Sequence, residues 1–449
     1  MGTLDAYSLI IGGSLVILIS FLFNRLARKT NIPSVLMLIV LGIGIQYLIK
    51  YFGFHDINFF PILEVLGIVG LIMIVLEAAL ELELTRAKIP VILKSTAVAL
   101  IGLLGSSFAA AGIIHAFLPM MDFLQALLYA TPLSILSSAI IIPSVSHLKT
   151  DKKEFLIYES TVSDILGIMM FYFLISLRES HMGQGSGADP VMAFIGGLSV
   201  TVVVSLVVSY LLIVAFQHIS HGPKLFLLIA ILMLLYSIGK KAHLSPLIVI
   251  LVFGLMVSNA HLFFRWRLRQ LLDWEKFQSI EKGLHILTLE TAFVVRTFFF
   301  VIFGASIALS SLLGLDVVVI SLVLLGSIYL VRWFILMTFT GANMMPQIWV
   351  APRGLITVLL FYAIPPDMMA PEFNNGILLF IILATGFVMT LGMIHGGDDK
   401  TSEKDKATPP VPETEIRLPV DGTQTSVGIE PPSDEPDEFT GFDEGEVNG

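Results

Sequence analysis

Long apolar stretches constrain this chain more than any other feature. A helix needs about 20 apolar residues to cross a hydrocarbon core about 30 Å thick, and thirteen stretches reach or approach that length. The 449-residue sequence is only 14% charged, against about 25% in soluble domains. It predicts an all-α polytopic membrane protein with about 13 transmembrane helices, at residues 7–26, 32–51, 61–83, 91–117, 123–146, 155–177, 191–216, 223–240, 245–260, 287–309, 315–339, 346–365 and 375–396.

The acidic charge lies at the C-terminal end. Residues 398–449 hold 15 acidic and 4 basic residues, a net charge of −11 within a total of −9, so the rest is near +2. Such a Pro-, Gly-, Asp- and Glu-rich composition cannot bury enough apolar surface to offset the entropy of ordering. We therefore predict a transmembrane domain over residues 1–397 and a disordered cytosolic tail over residues 398–449.

Several chemistries are excluded by residues that the sequence lacks. There is no cysteine, which rules out disulfides, thiolate metal sites and cysteine nucleophiles. The first apolar stretch has no basic n-region or small-residue cleavage site before it, which favours a retained helix over a removed signal peptide. We expect no cofactor and no nucleic-acid partner.

The loops carry an uneven distribution of basic residues, which predicts the orientation in the bilayer. Lysine and arginine favour cytosolic loops. Four lie in the loops of one side, namely Lys50, Arg178, Lys240 and Lys241. Fifteen lie in the loops of the other, namely Arg25, Arg28, Lys29, Arg86, Lys88, Lys94, Lys149, Lys152, Lys153, Lys224, Arg265, Arg267, Arg269, Lys276 and Lys282. We predict an inner (plasma) membrane protein with its N-terminus outside and its C-terminus in the cytosol.

Charged residues occur at two depths within the predicted spans. Asp164 and Arg296 each lie nine residues from the cytosolic end of a span, roughly 13 Å deep and near the midplane, where they can meet. Glu159, Arg332 and Glu77 form a shallower layer. An ionised residue at mid-membrane costs roughly 2.5–3.5 kcal/mol on insertion scales, so we expect ion pairs or a water-filled path. For Glu159 with Arg332, a purely structural pair and a functional one both remain open.

The sixth span combines carboxylates with hydroxyls at helical spacing. Ser160 and Asp164 are i,i+4 neighbours, as are Glu159 and Ser163. A carboxylate with a hydroxyl one turn away offers hard oxygen ligands to an alkali cation, and the same carboxylate can instead bind a proton. Asp164 is therefore our candidate carrier of both, with the two ions in competition.

Two spans are interrupted by proline and glycine. The fifth contains Thr131–Pro132, and the twelfth contains Pro352, Arg353 and Gly354. The two spans run in opposite directions in the predicted topology, a pattern typical of inverted-repeat transporters, in which broken helices expose carbonyls and helix ends to ions. Ser138 lies at a compatible depth, and Arg353 can neutralise nearby dipole ends. A simple kink in either helix is the alternative.

Together these residues resemble the monovalent cation:proton antiporter superfamily, which includes sodium/proton exchangers and glutathione-gated potassium efflux proteins. The resemblance covers residues 1–396. It rests on the run from Glu159 to Asp164, the two broken helices, the run from Arg296 to Phe300, Arg332, and the segment from Leu76 to Leu82.

The resemblance implies roles for individual residues. Asp164 would carry the ion and the proton, Ser160, Ser163, Thr131 and Ser138 would be further ion ligands, and Glu159 would pair with Arg332. Arg296 and Arg353 would be basic residues flanking the site. It also implies a homodimer whose six-helix core moves like an elevator. Relatives often have Asn or Asp at the position of Ser163, so the stoichiometry is left open.

We therefore predict an antiporter that exchanges protons for a monovalent cation, most simply sodium, with potassium and lithium open. A potassium efflux system or a cation channel is the alternative, and a sensor or scaffold acting through the tail is a further one. An enzyme is not expected. An intramembrane aspartyl protease would need a second deep aspartate, and neither a His-Glu-x-x-His motif nor a phosphate-binding loop occurs.

Overall fold

The computed structural model describes residues 6–30, 32–51, 60–145, 148–181, 190–219, 224–241, 246–264, 272–306, 309–312, 314–341 and 344–395. These residues are predominantly α-helical. The helices are α1 Ala6–Thr30, α2 Ser34–Tyr51, α3 Phe60–Glu81, α4 Ile89–Phe117, α5 Phe123–Ser134, α6 Ser138–Ser144, α7 Thr150–His181, α8 Pro190–His218, α9 Lys224–Lys241, α10 Pro246–Ser258, α11 Ala260–Phe263, α12 Trp274–Ser306, α13 Leu315–Thr340, α14 Leu355–Tyr362 and α15 Asn375–His395. The predicted tail, residues 398–449, lies outside the described residues.

Within the described part of the chain, 10 segments are long and apolar enough to cross a membrane. They correspond to the first seven predicted spans and to the tenth, eleventh and thirteenth. The other three predicted spans are the 18-residue α9, which ends in two lysines, the 13-residue α10, and a segment in which only α14 is helical. The polytopic all-α class is confirmed, whereas the count of 13 is not.

Helix α12 starts well before the predicted tenth span. It begins at Trp274, against a predicted start at 287, and is 33 residues long. Its first turns carry Glu275, Lys276 and Glu281, which lowered the apolar signal there. Helical structure extends through this charged segment because these side chains are good helix formers.

The long helices pack as two groups. The first helix group consists of α1–α3, α8–α10 and α12, in which α12 packs on α2 and α3, and α10 on α3 and α8. The second helix group consists of α4–α7 and α13–α15, in which α4 packs on α5, α7 and α13. Each group draws helices from both halves of the sequence, as inverted repeats require.

A pair of glycines allows a close crossing in the first helix group. A Cβ at Gly42 would lie 2.1 Å from the carbonyl oxygen of Val301, and one at Gly304 would lie 2.3 Å from that of Ile39. Helices α2 and α12 therefore meet backbone to backbone, in the manner of small-residue crossings within membranes.

The two interrupted spans differ in how they are broken. Helices α5 and α6 are separated by Ile135–Ser137, so the fifth span is a broken helix, but the break follows Thr131 and Pro132, which both lie inside α5. In the twelfth span only α14 is helical, and residues 345–349 form turns, so the expectation of helix on both sides of that break was wrong. Pro346 and Pro352 leave five residues between them, and a residue before proline is disfavoured in α conformation.

Candidate functional site

The first break (Ile135–Ser137) and the second break (residues 350–354) meet within the second helix group. The N–H of Ser137, in the first break, donates to the carbonyl of Pro352, in the second, at 3.0 Å. A Cβ at Gly354 would lie 2.4 Å from the Ser137 hydroxyl and 2.9 Å from the end of Ile140. Because glycine has no Cβ, residue 354 lets the two broken segments approach this closely.

Asp164 lies beside this crossing and is 4% exposed. Helix α7 presents its carboxylate to the first residue of α6. The Ser138 hydroxyl donates to Asp164 Oδ2, and the Ser138 N–H lies 3.4 Å from the same oxygen. Among the described residues, Oδ1 has no hydrogen-bond partner. Because a buried acceptor is costly when left unmet, this oxygen is ready to bind a cation or a proton.

The other three predicted hydroxyl ligands lie nearby with different partners. The Ser163 hydroxyl accepts from the N–H of Leu136 in the first break, at 3.1 Å. The Ser160 and Thr131 hydroxyls donate to carbonyls of their own helices, at 3.2 and 2.8 Å. All three are buried. No hydrogen bond joins any of them to Asp164 among the described contacts, but each hydroxyl oxygen keeps a lone pair for a cation.

The chemistry of these donors suits a hard monovalent cation. One carboxylate, serine and threonine hydroxyls and the carbonyls of the breaks are all oxygen ligands, which bind alkali and alkaline-earth ions rather than soft metals. Over the residues described, there is no group of three or more His, Cys, Asp or Glu side chains that could hold a metal ion. The arrangement therefore offers one carboxylate among buried hydroxyl and carbonyl oxygens.

Glu159, one turn before Ser163 on α7, forms an ion pair with Arg332 of α13. Nη1 and Nη2 of Arg332 lie 2.8 and 3.2 Å from the two carboxylate oxygens. The Arg332 side chain is 8% exposed and the Glu159 side chain 2%. Arg332 also donates to the carbonyl of Gln347, from Nε at 3.0 Å and Nη2 at 2.8 Å. The pair therefore fixes α7 and α13 to the turns that precede the second break.

Arg353 is almost completely enclosed in the second break. It is 2% exposed, and its backbone N–H donates to the Thr385 hydroxyl at 3.1 Å. In its guanidinium group, Nε and Nη1 have no hydrogen-bond partner among the described residues. It lines a cavity of about 30 Å³ together with Glu159, Ser163 and Arg332. That volume can hold a water molecule, which would give the Arg353 guanidinium a hydrogen-bond partner.

Arg296 has a different partner from the one expected. Its Nη2 lies 3.0 Å from Oε2 of Glu77, and its Nη1 donates to the carbonyl of Ala139 at 2.9 Å. The depths of Arg296 and Asp164 allowed the two side chains to meet, but the arginine instead reaches a carboxylate of the shallower layer. Arg296 still flanks the site, since Ala139 directly follows Ser138, which holds Asp164.

Three comparisons with known proteins bear on this arrangement. A family model described as "Sodium/hydrogen exchanger, transmembrane" matches residues 14–394. The structure of the sodium proton antiporter MjNhaP1 from Methanocaldococcus jannaschii at pH 8 is similar to this chain, with a TM-score of 0.63 and 22% identity, over 87% of this chain and 99% of that one. An electron-microscopy structure of the same antiporter gives a TM-score of 0.63 at 19% identity, over 89% and 100%. No curated protein sequence matches the chain.

Proposed function

This chain belongs to the sodium/hydrogen exchanger family, and from that premise we propose that it exchanges protons for sodium by alternating access, with Asp164 as the carrier. Cation/proton antiport follows from the family, and the choice of sodium and the transport cycle are our proposal. The observation that carries it is the Asp164 carboxylate, which is held by Ser138 on one oxygen and has no described partner on the other.

Competition for one carboxylate explains how the two fluxes are coupled. Ionised Asp164 binds sodium with help from the hydroxyls of Ser138, Ser160, Ser163 and Thr131, and protonated Asp164 does not. A carboxylate buried without a counter-charge is costly, so the second helix group moves only when either ion neutralises Asp164. In each transport cycle, the site therefore carries one cation across the membrane in one direction and one proton in the other.

The placement of the protein in its membrane is also part of the proposal. The excess of lysine and arginine in one set of loops supports an N-terminus outside and a C-terminus in the cytosol of an inner membrane. A homodimer through the first helix group would give the second group a fixed frame to move against. The exposed apolar residues of α1, such as Ile10, Leu18 and Phe21, support contacts with lipid or a second copy.

The test uses proteoliposomes that contain a pH-sensitive dye. Addition of sodium, potassium or lithium should evoke proton movement with the wild type, with sodium effective at the lowest concentration, and none with Asp164→Asn. The substitution keeps the size of the side chain and removes its charge. Proton movement unaffected by Asp164→Asn would refute the site, and ion flux without proton counterflow would indicate a channel.

A further inference from the structure

Pro143 removes the backbone hydrogen-bond donor that would otherwise serve the first turn of α6. In an α-helix, the N–H of each residue donates to the carbonyl four residues before it, and proline has no N–H. Pro143 lies inside α6, so the carbonyl oxygen of Ala139 lacks the donor that its own helix would supply. This carbonyl lies one residue after Ser138, whose hydroxyl and N–H hold Asp164.

Arg296, on α12, brings a replacement donor to this carbonyl. Its Nη1 lies 2.9 Å from the Ala139 oxygen, while Nη2 lies 3.0 and 3.3 Å from the two carboxylate oxygens of Glu77. The side chains of Arg296 and Glu77 are 14% and 9% exposed. A guanidinium held on one edge by a carboxylate presents its remaining N–H groups in a fixed direction, which here is toward α6.

We propose that Arg296, held by Glu77, is a positioning residue for the cation site. It restores the hydrogen bond that Pro143 removes and thereby keeps α6 in the place where Ser138 meets Asp164. The inference rests on the proposed function, in which Asp164 carries the cation. Arg296 belongs to the first helix group and Ala139 to the second, so the bond also makes the order of α6 depend on how the two groups are arranged.

A second-site rescue separates this role from a general effect of charge. We would compare Arg296→Gln, Pro143→Ala and the double variant for sodium-evoked proton movement, and for the sodium concentration that protects the purified protein against heat. Arg296→Gln should raise the KM for sodium about tenfold, as for loss of a hydrogen bond from a charged donor, with a smaller change in maximal rate. Pro143→Ala alone should stay near the wild type.

The double variant should recover most of the lost sodium affinity, because the new N–H at position 143 can donate to Ala139. Arg178→Gln is the matched control, because it also breaks an arginine–carboxylate pair. Arg178, near the end of α7, has its Nη1 2.8 Å from Oδ1 of Asp122, which precedes α5. This variant should leave the KM for sodium unchanged. If Arg296→Gln does not fold, Glu77→Gln releases the guanidinium and is tested with the same Pro143→Ala rescue.

An unchanged KM in Arg296→Gln, or a raised KM that Pro143→Ala does not restore, would overturn the positioning role while leaving the antiporter proposal intact. A wild type that moves no protons with any alkali cation would overturn the proposed function instead. Sodium protection of the purified wild type is measured independently of transport, so the two failures are distinguishable.

Discussion

Replacement of Arg332 by methionine should be among the most destabilising single changes in this protein. The substitution removes a bidentate ion pair with Glu159, at 2.8 and 3.2 Å, and two hydrogen bonds to the carbonyl of Gln347, at 3.0 and 2.8 Å. Removal of one partner of a buried pair costs about 3–5 kcal/mol, because the other charge stays uncompensated. Glu159→Gln should cost less, since Arg332 keeps the Gln347 carbonyl and the new amide oxygen still accepts.

The double variant Glu159→Gln with Arg332→Met removes both charges, so it should be more stable than Arg332→Met alone. The assay is thermal unfolding of detergent-purified protein at one fixed scan rate, because such transitions are often irreversible and depend on that rate. Arg332→Met should lower the apparent Tm on the order of 10 °C. A double variant as unstable as Arg332→Met, or a single variant that unfolds like the wild type, would refute the reasoning from this pair.

Four further outcomes follow from the site. Ser138→Ala should raise the KM for sodium about tenfold, since it removes the hydroxyl that donates to a charged carboxylate; a KM equal to that of wild type would contradict this. Gly354→Ala should abolish sodium-evoked proton movement, because the new Cβ would lie 2.4 Å from the Ser137 hydroxyl. Deletion of residues 398–449 should leave exchange in proteoliposomes unchanged. Among the described residues, Asp164 is the one buried carboxylate without an ion pair, so exchange should be one for one. Clamping the membrane potential with valinomycin and potassium should therefore not alter the initial rate of proton movement evoked by sodium or lithium.

Much of the architecture could be predicted from apolar length and from proline, because both act locally. The sequence predicted a break in the fifth span but placed it at Thr131–Pro132, three residues before the observed break at Ile135–Ser137. It also named Glu159 and Arg332, which the structure brings together. It did not identify Glu77 as the partner of Arg296, because depth along a helix does not reveal which way a long side chain turns. The role of the Ala139 carbonyl was also missed, although Pro143, four residues later, is the signal that could have revealed it.

The turns of residues 345–349 illustrate another limit of the sequence. Their apolar composition resembles that of a membrane helix, and only the carbonyl of Gln347 shows what they do, since it receives two hydrogen bonds from Arg332. Non-helical backbone is tolerated at membrane depth only where other protein groups satisfy it. Such compensation is a contact between α13 and the turns that precede the second break, and no local pattern predicts it.

The distribution of partners, more than the presence of charge, distinguishes Asp164 from the other buried carboxylates. Among the described residues, three carboxylates are buried: Glu77, Glu159 and Asp164. Glu77 forms an ion pair with Arg296, and Glu159 forms one with Arg332, so each of these carboxylates already has an arginine partner. Asp164 has only Ser138, whose hydroxyl supports its charge without neutralising it. A mobile cation or a proton can therefore bind Asp164 directly, whereas at Glu77 or Glu159 it would have to displace an arginine.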